Sequence, residues 1–174
     1  MRLRERRERD LPPAVIVLHM VHEIDGYPMR WPADPEAWLT GRAAYGAWVT
    51  ESAVGLSGHV ALHEIGDEAC QPAWATATGR RPQQLAEVTR LFVAPTARGL
   101  GLGRRLLDQA TQTAHSLEAW PVLGVVADGR ESAACLYLAS GWHLVDRAPW
   151  SPGDGRELTL NCWVGPAPNQ QEAR

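Results

Sequence analysis

The 174-residue sequence predicts one α/β domain, and its middle carries the prediction. Residues Leu85 to Val93 are rich in apolar and β-branched side chains, as in a largely buried strand that ends before Pro95, a residue unable to donate a ladder hydrogen bond. After a glycine-rich loop, apolar residues recur at helical spacing: Leu106, Leu107, Ala110, Ala114 and Leu117. We expect the domain to cover residues 1–165, and residues 166–174 to form a polar, disordered tail.

The remaining elements follow from periodicity and from turn residues. Asp10 is a suitable N-cap for a helix with one apolar stripe, formed by Leu11, Ala14, Val15, Leu18 and Val21. Asp67 to Gln84 is polar and irregular, so we expect a long loop in which Trp74 covers the functional site or an interface. The other expected elements are a short helix at Glu36–Leu39, strands at Tyr45–Thr50, Leu56–Ile65 and Val122–Ala127, a helix ending at Gly141, and a last strand pair, Trp142–Val145 with Leu158–Val164.

Composition narrows the class of protein. A net charge of −3 gives no reason to expect nucleic acid or an anionic membrane as a partner, and no apolar run is long enough to cross a bilayer. The three cysteines have no paired spacing, so we expect a reducing cytoplasm, with Cys135 as a packed thiol. His19, His22 and Glu23 have a spacing that suits a metal, but no further ligand converges on them and we expect no metal.

The glycine loop after the central strand is suited to bind an anion. Gly99, Gly101 and Gly103 remove side chains where a helix begins, so its first N–H groups are open to a ligand. Arg98 and Arg104 add charge on either side, which favours phosphate or pyrophosphate over the alternative of a purely structural tight turn. The chain has no lysine, which excludes a Gly-Lys-Ser/Thr nucleotide loop, and the spacing G-x-G-x-G departs from the dinucleotide fingerprint.

Two sequence blocks resemble one family. Arg98-Gly99-Leu100-Gly101-Leu102-Gly103 is similar to the R/Q-x-x-G-x-G/A acyl-CoA loop of the GNAT acetyltransferase superfamily, and it follows a strand of the form L-x-E-V-x-x-L-x-V. The segment from Ala133 to Trp142 resembles that family's A-x-x-L-Y-x-x-x-G-F/W helix and turn. The resemblance is close from Leu85 to Trp142 and looser from Arg2 to Ile65.

The resemblance implies a fold and a cofactor. The fold is a mixed, mostly antiparallel sheet of about six to seven strands with about four helices, in which a bulge splays the central strand pair. The cofactor is acetyl-CoA, whose pantetheine arm pairs with the backbone of Leu91, Phe92 and Val93. Its diphosphate is expected on the loop formed by Arg98, Gly99, Leu100, Gly101, Leu102, Gly103 and Arg104.

Two side chains match the family's chemical positions. Glu87 lies where many members carry a general base; the alternative is a salt bridge to Arg90 or another arginine. Tyr137 lies where the family places the donor to the leaving sulfur; the alternative is a core tyrosine on an amphipathic helix. The sequence departs from the family at Arg130, where many relatives carry an asparagine that contacts the cofactor arm.

The expected function is acetyl transfer from acetyl-CoA to a primary amine of a small molecule or peptide, directly within a ternary complex. Tyr27 and Trp31 lie in a proline-rich loop that either lines the acceptor site or caps the core. The alternatives are an acyl-CoA-binding sensor without turnover and an acyltransferase for a longer acyl chain. The tryptophan-bearing last hairpin is compatible with a homodimer.

Overall fold

The computed structural model describes residues 1–41, 44–66, 69–127 and 131–168 of the chain. Seven strands are hydrogen-bonded in the order β1-β2-β3-β4-β5-β7-β6. They are β1 (Arg2–Glu5), β2 (Ala44–Ser52), β3 (Gly55–Glu64), β4 (Leu85–Val93), β5 (Trp120–Val126), β6 (His143–Trp150) and β7 (Leu158–Val164). The α-helices of the described residues are α1 (Leu11–Asp25), α2 (Pro35–Thr40), α3 (Gln71–Thr78), α4 (Leu102–Ser116) and α5 (Glu131–Ala139). The expected mixed sheet is confirmed.

The chain divides into two compact units: Met1–His63 with Val88–Ala110, and Glu64–Glu87 with Thr111–Arg174. In the first unit, β2 pairs antiparallel with β1 and with β3. Its core lies between α1 and the second half of β4, where Leu18 and Leu39 are fully buried and Phe92 is nearly so. The single domain over residues 1–165 stays a prediction.

In the second unit, β7 pairs antiparallel with β5 and β6. The start of β4 pairs with β5 in parallel, from Leu85 opposite Trp120 to Glu87 opposite Val122. The last hairpin is confirmed, with β6 extending to Trp150, beyond the expected end at Val145.

The segment between β3 and β4 corrects the prediction of a long loop, because it contains the helix α3. The sequence QPAWATAT has too few large apolar residues to show a helical period, and its order depends on Trp74, whose side chain is fully buried. Trp74 therefore belongs to the core of the second unit. Asp67 and Glu68 lie outside the described residues.

The cysteines also correct the sequence reading. Cys70 and Cys162 form a disulfide with a Cα–Cα distance of 5.4 Å and a sequence separation of 92, so spacing along the chain gave no sign of it. Cys135, expected as a packed thiol, is exposed on α5.

Asp10 precedes α1 as expected, but its side chain makes no capping hydrogen bond to that helix. Its carboxylate instead accepts from Arg4 at 2.6 Å and from the Arg7 N–H at 2.6 Å. The hydrogen bond from Arg4 lowers the pKa of Asp10 to about 2.

Candidate active site

β4 carries a backbone irregularity at Arg90, which has φ 51°. A left-handed conformation is uncommon for a residue with a Cβ and costs about 1–3 kcal/mol unless the surroundings stabilise it. A left-handed strand residue redirects the backbone groups that follow it, as β-bulges do beside many active sites. Leu91, Phe92 and Val93, the backbone expected to bind pantetheine, follow it directly.

The side chain of Arg90 packs on the ring of Trp38. Its guanidinium carbon lies 5.0 Å from the centre of the Trp38 ring, a cation–π distance. A Cβ on Gly41 would lie 2.5 Å from the same guanidinium, and Gly41 itself has φ 62°. Glycine at position 41 therefore serves two purposes: it adopts the positive φ, and it leaves room for the Arg90 guanidinium.

Beneath Arg90 lies His59 of β3, whose side chain is fully buried. Its Nδ1 is 2.9 Å from the Arg90 carbonyl oxygen, and its Nε2 is 3.0 Å from Nη1 of Arg6. An arginine can only donate, so Nε2 accepts and Nδ1 carries the proton that is donated to Arg90. Burial lowers the pKa of His59 to about 3, which keeps the ring neutral.

The loop between β4 and α4 fits a large anion. Gly99 and Gly101 have φ values of 76° and 71°, and a Cβ on either would meet no heavy atom within 4 Å. The Arg105 N–H donates to the Gly101 carbonyl at 3.1 Å, which closes the first turn of α4. The N–H groups ahead of that bond, at the positive end of the helix dipole, are the donors that a diphosphate needs.

The side chains of this loop divide into two kinds. Leu102 is buried in the core of the first unit and offers only its backbone, whereas Leu100 is 59% exposed. Arg98 forms an ion pair with Asp25, the last residue of α1, and Arg104 Nε lies 3.8 Å from Asp108 one turn along α4. Both arginines are partly exposed, so these pairs are weak and a phosphate can compete for the guanidinium groups.

Tyr27 and Trp31 are half-buried and pack against the core cluster of the first unit that includes Phe92. The Tyr27 ring lies 6.1 Å from that of Trp38, and the Trp31 ring lies edge-on to His19 at 5.1 Å. This arrangement is compatible with both expectations for the loop, lining the acceptor site and capping the core, because each ring packs on the core and stays partly accessible.

The two predicted chemical groups lie in the second unit and are both 7% exposed. Glu87 is the third residue of β4, opposite Val122 of β5. Tyr137 lies on α5, with its ring 5.3 Å from that of Trp163 and 6.3 Å from that of Trp142. Packing between two tryptophans restricts the Tyr137 ring, as a proton donor with a fixed direction requires.

Sequence reasoning missed Trp38 and Arg6 and gave His59 no role. A histidine inside the apolar run GHVAL is a signal of a buried polar contact, since a buried imidazole needs hydrogen-bond partners. Among the described residues, no group of three or more metal-binding side chains converges. Arg130, the point of departure from the family pattern, lies outside them.

Comparison with known proteins agrees with this geometry. Residues 12–142 match the model of the acetyltransferase (GNAT) family. The chain belongs to that family. This GNAT protein is therefore an acyltransferase that uses acetyl-CoA, and the glycine loop and β4 fit that cofactor.

Solved structures share the fold of this GNAT chain. Ribosomal-protein-alanine N-acetyltransferase from Brucella melitensis has 22% identity and a TM-score of 0.71, covering 94% of this chain and 98% of its own. The protein yncA from Salmonella typhimurium, solved with its cofactor acetyl-CoA, has 19% identity and a TM-score of 0.70, with coverages of 99% and 96%. NAA60 from Arabidopsis thaliana, in complex with a bisubstrate analogue, has 15% identity and a TM-score of 0.71, with coverages of 94% and 95%.

No curated protein is significantly similar to the chain in sequence. Within the described residues, no helix is both long and apolar enough to cross a membrane.

Proposed function

We propose that this chain transfers the acetyl group of acetyl-CoA to a primary amine of a small molecule or peptide, directly within a ternary complex. The observation that carries the proposal is the left-handed backbone at Arg90 in β4, followed by the open glycine loop that begins α4. A redirected strand backbone and a bare helix start are the two features that binding the arm and the diphosphate of one cofactor requires.

Acetyl-CoA supplies the activated acetyl thioester. Backbone groups of Leu91, Phe92 and Val93 bind the pantetheine arm, and the backbone from Arg98 to Arg104 binds the diphosphate. A strand N–H redirected by the Arg90 bulge donates to the carbonyl oxygen of the acetyl group as that oxygen gains charge. A fixed backbone donor suits this task because it needs no reorganisation during the reaction.

Two side chains handle the protons. Glu87 accepts a proton from the ammonium form of the acceptor, which is the dominant form because a primary amine has a pKa of about 10. Tyr137 donates the proton of its Oη to the leaving sulfur as the C–S bond breaks, and it recovers a proton from the attacking nitrogen, which loses its second proton as the amide forms. The burial of both groups supports these roles, because the interaction of a buried donor or acceptor with a developing charge is not screened by water.

The acceptor binds beside Tyr27 and Trp31, which offer aromatic edges and faces to a cation or a ring. One of the structural neighbours carries a name that specifies a protein amine, the alanine of a ribosomal protein. A peptide amine is therefore included in the proposal beside small amines.

A thiol-release assay with acetyl-CoA and a panel of small and peptide amines tests the activity. Saturable binding of the cofactor with turnover of no amine would instead favour an acyl-CoA sensor. A faster reaction with longer acyl-CoA donors would favour the longer-chain acyltransferase.

The first prediction concerns Tyr137. Tyr137→Phe should lower kcat by about ten-fold or more, because the leaving thiolate loses its donor, while the Kd for coenzyme A stays unchanged. Tyr45→Phe, which removes the hydroxyl of a 39% exposed tyrosine on β2, is the matched control and should retain the parent rate. Equal rates for Tyr137→Phe and the parent would eliminate Tyr137 as the donor.

The cytoplasmic location and the homodimer are further parts of the proposal. A disulfide is rare in cytosolic proteins, so the redox state of Cys70 and Cys162 in the cell tests this location. Alkylation of protein taken directly from cells, followed by mass spectrometry, decides the location: two reduced thiols at these positions support the cytoplasm. Light scattering of the purified chain decides the dimer.

A further inference from the structure

We propose that His59 is a positioning residue for the cofactor strand: by donating from Nδ1 to the Arg90 carbonyl, it holds the β4 bulge in the conformation that aims the following backbone groups at acetyl-CoA. The inference rests on the proposed function, because it concerns the strand that binds the pantetheine arm. It assigns a role to a side chain that has no contact with the reacting atoms.

The first support is the need for an external restraint at Arg90. A residue with a Cβ keeps φ near 51° only when its surroundings compensate for the steric conflict. The hydrogen bond from His59 is 2.9 Å long and reaches the backbone of the strained residue itself. It therefore acts on the orientation of the peptide that links Arg90 to Leu91.

The second support is that the His59 ring cannot turn away. The ring is fully buried and stacks on Phe92, with ring centres 5.2 Å apart and planes 16° apart. Nη1 of Arg6 donates to Nε2 at 3.0 Å and to the Leu39 carbonyl at 2.8 Å, so Arg6 is itself fixed. Arg6 thus selects the tautomer of His59 that has a proton on Nδ1, and the ring in turn contacts β4 on both sides of Leu91.

A neighbouring residue provides the contrast. His63 lies on the same face of β3 and is also fully buried. Its Nδ1 lies 2.7 Å from the Thr89 hydroxyl and 3.0 Å from Nη1 of Arg90. These contacts of His63 are with side chains, whereas His59 bonds to the backbone of Arg90.

The experiment uses two amides that differ in where they place a donor. The side-chain nitrogen of asparagine is as many bonds from the backbone as Nδ1 of histidine, and that of glutamine as many as Nε2. His59→Asn therefore keeps a donor for the Arg90 carbonyl, and His59→Gln removes it while retaining an acceptor for Arg6. His63→Gln is the matched control for loss of a buried imidazole on this face.

Amide hydrogen exchange of residues 88–94 without cofactor, and the Kd for coenzyme A by calorimetry, are the two measurements. We expect His59→Gln to exchange faster in this segment and to bind about ten-fold more weakly, which corresponds to about 1.4 kcal/mol. His59→Asn and His63→Gln should stay within about three-fold of the parent Kd. Adding Arg90→Gly should reduce the defect of His59→Gln, because glycine adopts the positive φ without a restraint.

The inference is overturned if His59→Gln exchanges like the parent in residues 88–94, if His59→Asn is as impaired as His59→Gln, or if Arg90→Gly rescues nothing. If the parent itself does not bind coenzyme A, the proposed function fails, and the exchange measurement still decides whether His59 holds the bulge. The two failures are therefore distinguishable.

Discussion

The loop Arg98–Gly101 and the helix α3 are short, lie close together in the chain and are stabilised in opposite ways. Around Gly99 and Gly101 no heavy atom lies within 4 Å of where a Cβ would stand, so the backbone preference of glycine sets the shape of this loop. In α3, the fully buried Trp74 and the disulfide of Cys70 attach the helix to its core. The loop therefore leaves its backbone open, whereas α3 is held by the packing of its side chains.

The comparison predicts that substitutions in the two segments affect different quantities. Substitutions in α3 should reduce the free energy of unfolding and leave the binding of coenzyme A by the folded protein unchanged. Substitutions in the glycine loop should weaken the binding of coenzyme A and lower the free energy of unfolding only slightly, since few contacts of the folded state are lost there.

The largest expected effect is that of Trp74→Ala. Removing a fully buried tryptophan leaves a cavity in the core of the second unit and should lower the free energy of unfolding by about 3–5 kcal/mol. Urea unfolding followed by circular dichroism measures the loss, and calorimetry on the folded variant should give the parent Kd for coenzyme A.

Trp74→Phe is the control for this prediction. It keeps an aromatic ring and removes an indole N–H that has no hydrogen-bond partner among the described residues, so its loss should be clearly smaller. A Trp74→Ala protein within about 1 kcal/mol of the parent would contradict the placement of this ring in the core.

The next prediction concerns the pH dependence of stability that follows from the buried His59. The pKa of His59 is lowered from 6.5 to about 3 by burial, with the charges of Arg6 and Arg90 and the neighbouring His63 acting in the same direction. Below pH 6.5 the unfolded chain therefore binds a proton that the folded chain does not, and stability falls as the pH falls. Between pH 7 and pH 5 this contribution should amount to about 2 kcal/mol.

His59→Asn isolates this contribution, because the variant lacks the imidazole and every other group still titrates. The unfolding free energies of parent and variant are measured in urea at several pH values. Between pH 7 and pH 5 the parent should lose about 2 kcal/mol more than the variant. A difference that does not depend on pH would show that His59 remains accessible to protons in the folded state.

The same contrast explains which features were predictable from the sequence. The boundaries of β4 were predicted as found because the strand is rich in apolar and β-branched residues and ends before Pro95. The loop after it was predictable because glycine recurs there at every second position. The disulfide and α3 were not, since both depend on contacts between residues far apart in the chain. Arg90 and His59 belong to this second class, because the strain of one and the hydrogen bond of the other exist only once β3 and β4 are in place.

The smallest expected effect comes from a matched pair of glycines. Gly101 in the loop has φ 71° and Gly79, which ends α3, has φ 64°, and a Cβ on either would meet no heavy atom within 4 Å. Alanine at each position should therefore cost a similar amount, about 1 kcal/mol of unfolding free energy, for the left-handed backbone alone. The binding of coenzyme A should separate them: Gly101→Ala places a methyl group in the approach of the diphosphate and should raise the Kd by about ten-fold, whereas Gly79→Ala should leave it unchanged. Equal Kd values for the two variants would mean that the open backbone at Gly101 is not where the anion binds.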